Sequence, residues 1–154
     1  MAGRWLETII FVSSAGSLVL AVAALTVLTL ADARFLANKV LFAELMEVAI
    51  PWGAYLLWVQ VRWLCLGGEQ PGRAKLWVLV ASEWLAACVT IATACAALAG
   101  DLFALQHDCC TSTAACLICL VGAAMACAAG ALAAVSALGM LWIIGSRSRP
   151  AQAP

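Results

Sequence analysis

Charge is scarce in this chain. Only 10% of its 154 residues are Asp, Glu, Lys or Arg, and there is a single histidine. A soluble domain of this length needs a hydrated polar shell that so few charges cannot supply. Eight basic and eight acidic residues cancel, so the basic footprint of a nucleic-acid partner is missing. One histidine leaves no Ser–His–Asp constellation, and neither a phosphate loop nor a run of inward charges to line a pore occurs. His107 stands near Cys109 and Cys110, but not at zinc-ligand spacing, and no metal or cofactor is expected. Strand-like alternation and a domain linker are also missing. The start lacks a cleavable signal pattern: its first apolar run is too long for an h-region and has no small-residue cleavage site after it. It reads as a retained span.

What is present is apolar. Hydrophobic residues make up 66% of the chain, and mean hydropathy is +1.07. The expected solvent is therefore the lipid bilayer. A crossing helix needs about 20 mostly apolar residues. Four segments qualify: roughly Thr8–Ala31, Leu45–Leu66, Leu76–Gly100 and Cys116–Gly145. The expected fold is all-α, an integral-membrane four-helix bundle in one domain, with 146–154 as a short tail. The second segment is the least apolar. It carries Glu47 and Arg62 near opposite ends, where they can snorkel, Gln60 in its length, and Pro51, which should kink it.

Basic residues set the orientation. Arg4, Arg62, Arg73, Lys75, Arg147 and Arg149 fall on one side, and only Arg34 and Lys39 on the other. This asymmetry predicts cytoplasmic N- and C-termini. Trp5, Trp63, Trp77 and Trp142 fall at the same inner ends, where an indole can be half wet.

Lipid gives helices no hydrophobic reason to associate, so small residues that let backbones approach become informative. Gly122, Ala126, Gly130 and Ala134 recur every four residues along the fourth span. This face can pack inside one bundle or meet a second copy. Glu83 poses the sharper question. It lies in VLVASEWLAACV, about 10 Å from the inner boundary at 1.5 Å per residue, where a carboxylate is costly unless sheltered. The expectation is an internal polar tie between helices, with Arg4 or Arg62 as partner, or with Glu83 as a neutral hydrogen-bonding acid. The competing reading is proton or ion transport through Glu83.

Of eight cysteines, Cys109, Cys110, Cys116 and Cys119 cluster in HDCCTSTAACLIC, a loop expected outside, in an oxidising compartment. A disulfide between Cys109 or Cys110 and Cys116 would staple the third span to the fourth. The Cys116–Cys119 pair, at the head of a fourth helix, is also similar to the motif of quinone–thiol oxidoreductases of the vitamin K epoxide reductase type. Those enzymes place a second thiol pair in another outer loop, and the first outer loop here has none. Cys88, Cys95 and Cys127 are expected as small apolar fillers. Cys65, at an inner end, is a position open to palmitoylation.

The order of these parts resembles the Casparian-strip membrane protein-like (CASP-like) family, related to the MARVEL group of four-span proteins, best over residues 77–146. Ser82, Glu83 and Trp84 stand at the family's glycine–Asp–Trp step, followed by ATACAALAG. Cys116 begins the fourth span, with Met125 in AAMA nine residues on. The chain closes on SALGMLWIIGS. In the family an arginine of the first span accompanies the third-span aspartate, and here Arg4 and Glu83 stand nearest those positions. The resemblance implies a non-enzymatic plasma-membrane scaffold that forms homo- and hetero-oligomers with related membrane proteins.

Overall fold

A computed structural model of the chain describes residues 2–31, 36–64, 72–107, 109–110 and 112–147. Arg34, Cys65 and Arg149 lie outside these residues. The described residues are almost wholly helical: α1 (Ala2–Leu30), α2 (Leu36–Glu44), a π turn (Leu45–Ala49), α3 (Ile50–Leu64), α4 (Arg73–Gln106) and α5 (Thr113–Arg147). With α2, the π turn and α3 running on as one rod, four helical segments are long and apolar enough to cross a membrane: Arg4–Leu30, Leu36–Trp63, Arg73–Gln106 and Thr113–Ser146. In hydrocarbon every backbone N–H and C=O must find its partner within the segment, and the helix does this.

The second span differs from the sequence expectation. Its helix begins at Leu36, not Leu45. Hydropathy ends the span early because Asn38, Lys39 and Glu44 are polar. In the fold Asn38 and Glu44 are buried against α4, while Lys39 is exposed. Pro51 lacks an N–H, and its ring crowds the carbonyl four residues back. The helix absorbs this in the π turn just before it, where the Ile50 N–H reaches the carbonyl of Leu45.

The third span also continues past its expected end at Gly100, through Asp101, to Gln106. It stops at His107, whose N–H bonds to the Phe103 carbonyl at 3.1 Å. The imidazole stacks on the Phe103 ring with centroids 4.1 Å apart, and the N–H of Cys109 takes the Ala104 carbonyl at 3.0 Å.

Neighbouring spans are antiparallel. Gly139 lies against Ile10, Gly16 against Leu132 and Gly122 against Leu28, so α1 and α5 run alongside each other in opposite directions. Ile10, Leu76, Val80, Met140 and Ile144 cluster at one end, which places the start of α1 and the end of α5 together.

The interior is the reverse of a soluble core. Half of the buried apolar positions are alanine, with Ala24, Ala94, Ala123 and Ala126 fully enclosed, while Trp5, Val19, Leu85 and Trp142 point outward. This is the arrangement lipid favours: small residues between helices, large apolar ones against acyl chains. The stripe on α5 is used in this way. Gly122 meets Leu28 of α1, Ala126 is fully buried, and Gly130 meets Ile91 and the Ala87 carbonyl of α4. Ala134 is half-buried. Most of this face is therefore occupied within the chain, which removes it as a surface for a second copy.

Candidate functional site

Polar side chains enter this interior in three layers. The layer nearest the Arg4 end draws residues from all four spans. Gln60 of α3 donates its side-chain N–H to the Ser14 hydroxyl of α1 at 2.9 Å. Ser14 and Ser136 of α5 share a hydrogen bond of 2.9 Å, and the carboxyl of Glu83 on α4 lies beside Ser136. Because Gln60 donates to Ser14, the Ser14 hydroxyl proton can point to Ser136, and each bond polarises the next. Glu83 is 3% exposed, Ser136 0% and Gln60 4%. One link away, Ser17 bonds to the Ala129 carbonyl at 2.8 Å.

Glu83 is thus an internal tie, but not through the expected partner. Arg4 and Arg62 are both exposed. Ser14 shares α1 with Arg4 and sits ten residues further along, so Arg4 lies roughly 15 Å below the layer at 1.5 Å per residue. Arg62 instead places its guanidinium 5.5 Å from the centre of the Trp58 ring. Short hydroxyl side chains at the right depth supply what a long cation would have had to reach for.

The second and third layers were not legible in the sequence. Thr90 of α4 donates to Glu44 of α2 at 2.7 Å, and Asn38 of α2 donates to Asp101 of α4 at 2.8 Å. Both bonds attach the early half of the second span to α4. Hydropathy reads Asn38, Glu44 and Asp101 as loop because its average ignores pairing. The usable signal was helical spacing: Glu83, Thr90, Ala94, Ala97 and Asp101 fall on one face of α4, and all are buried. Glu47, by contrast, is exposed in the π turn.

Between the first two layers lies a cavity of about 30 Å³, lined by Ser14, Ser17, Trp52, Glu83, Thr90 and Gly130 among others. It exceeds the roughly 10–15 Å³ one water needs. One oxygen each of Glu83, Glu44 and Asp101 has no partner among the described residues. Glu83 and Thr90 are seven residues apart, or roughly 10 Å along the helix. Thr90 and Asp101 are eleven apart, or roughly 16 Å, and the buried residues of α4 between them are Ala94 and Ala97.

At the opposite end from Arg4, Cys110 and Cys116 form a disulfide with Cα atoms 6.3 Å apart. It ties the segment after α4 to the first turn of α5. Cys109 is exposed and free, and Cys119 is buried and free. Cys116 therefore pairs with Cys110 and not with Cys119. Cys88 and Cys95 are exposed on the bundle surface, not buried as expected, and Cys127 is half-buried. Cys95 of α4 and Cys127 of α5 lie near each other.

Helices of this length and polarity, with a small-residue and polar interior, define a multi-pass membrane protein. No family model, curated protein or solved structure matches the chain.

Proposed function

We propose that the chain is a non-enzymatic plasma-membrane protein, with both tails in the cytoplasm, that associates laterally with copies of itself and with related four-span proteins to organise a membrane domain. The resemblance to CASP-like proteins across the third and fourth spans suggested this reading. The observation that carries it is the use made of Glu83. Its carboxyl is buried beside Ser136, at the end of a hydrogen-bonded chain that joins the other three spans, which suits a rigid body better than a moving proton. The connections between spans are also short, 31–35, 65–72 and 107–112, so partners of the bundle are met chiefly through its lipid-facing sides.

The test is to express two differently tagged copies at native level and count molecules per diffusing spot by single-molecule photobleaching. Two or more copies per spot, with co-capture of related four-span chains, is the expected result. Single copies at every density would overturn the proposal. One observation favours a second reading, passage of protons or small cations: three buried acids, Glu44, Glu83 and Asp101, each keep an oxygen with no partner among the described residues. If Glu83→Gln altered cation flux in proteoliposomes while spot occupancy stayed constant, that second reading would replace the first.

A further inference from the structure

The second and third spans part at the end of the bundle that carries Arg62 and Lys75. Between them lies a groove of about 640 Å³, within the size range of small-molecule sites. One wall is aromatic. Trp52, Tyr55 and Trp58 succeed one another along α3 at three-residue spacing, with ring centroids 5.5 and 6.3 Å apart, because such spacing shares a helix face. Val78 and Leu79 of α4 form the other wall. Arg62 and Lys75, one from each helix, stand at the mouth, and among the described residues no acidic side chain lines the groove. Both cations are exposed, and among the described residues neither has an ion pair. Trp52 lies eleven residues from Trp63, roughly 16 Å along the helix and so about half the hydrocarbon thickness. The groove is apolar at depth and cationic where the helix ends meet the membrane surface.

We propose that this groove binds one anionic phospholipid of the leaflet nearest Arg62 and Lys75. The phosphate sits between the two cations, and an acyl chain lies along the Trp52–Tyr55–Trp58 wall. Charge complementarity selects this occupant. Arginine forks onto phosphate oxygens, and basic pockets between membrane helices suit acidic headgroups. A zwitterionic lipid brings its own ammonium to a site that already has two cations. A free phosphate has no tail for the aromatic wall. The site depends on the bundle being embedded in lipid and not on lateral association, so either proposal can fail alone.

Native mass spectrometry of the detergent-purified full chain tests it, with phosphatidylglycerol and phosphatidylcholine as probes. The expected result is one phosphatidylglycerol held per chain at concentrations where phosphatidylcholine is not retained. Each cation near the surface contributes about fivefold, so Arg62→Gln with Lys75→Gln should weaken retention about 25-fold. Val78→Trp keeps both charges but fills the groove, and should also abolish retention, with helicity by circular dichroism confirming that it folds. Arg4→Gln, on a different helix, should change nothing. Equal retention of phosphatidylcholine, an equal loss in Arg4→Gln, or retention unaffected by Val78→Trp would each overturn the assignment. So would full competition by water-soluble glycerophosphate, or a dimer whose formation excludes the lipid.

Discussion

Two parts of this bundle are held by different means. The seam of α1, α4 and α5 is closed by small residues. Gly130 brings α5 onto the Ala87 carbonyl of α4, and Gly139 and Gly122 admit Ile10 and Leu28 of α1. The second span is held instead by polar bonds. Asn38 and Glu44 reach Asp101 and Thr90, and Gln60 reaches Ser14. Where backbones can approach closely, dispersion over a long contact suffices. The second span carries Pro51, a π turn and several large aromatics, which prevent close approach, so it depends on a few directed bonds. The difference teaches that lipid permits both strategies and that sequence bulk selects between them.

The largest break in this contrast should come from the seam. A Cβ on Gly130 would lie 2.7 Å from the Cγ1 of Ile91, close to the branch of a stiff side chain. Gly130→Val should cost about 3 kcal/mol in reversible unfolding followed by circular dichroism. Gly100→Ala, where a Cβ meets nothing within 4 Å, should cost nothing. Equal behaviour of the two variants would remove the small-residue account.

A smaller effect is expected at the layer that joins seam and second span. Glu83→Ala removes the buried carboxyl beside Ser136 and should cost about 1.5 kcal/mol, near the upper end for polar contacts between membrane helices. Glu83→Gln keeps an acceptor for Ser136 and should recover most of that. An alanine variant as stable and as abundant as the original would show that the tie has no structural role.

The smallest effect sharpens the comparison. A double-mutant cycle on Asn38→Ala and Asp101→Ala should give a coupling of about 0.6 kcal/mol. Modest coupling fits a second span held by several weak bonds. A coupling near zero would mean that the Asn38–Asp101 bond does not hold it.

Several features of this molecule were legible from residue order. The four crossings follow from apolar runs of sufficient length, because hydrocarbon leaves a backbone few other choices. Of the four tryptophans expected at span ends, Trp5, Trp77 and Trp142 are exposed and Trp63 is half-buried. A cysteine of the loop between the third and fourth spans joined to Cys116 was expected, and the fold selects Cys110. The sheltering of Glu83 was also expected, because a charge facing acyl chains is too costly. Its partner was not, because that depends on which side chains of other helices reach the same depth. Ser14, Gln60 and Ser136 are separated by 46 and 76 residues of chain, and nothing local marks them as neighbours. Asn38, Glu44 and Asp101 were placed outside the spans for the same reason. A single polar residue looks unfavourable in a hydropathy average, and only its pairing across helices makes burial affordable. Crossing the membrane depends on properties each segment carries alone, so the sequence determined it. The register between helices depends on pairs, and only the tertiary structure decided it.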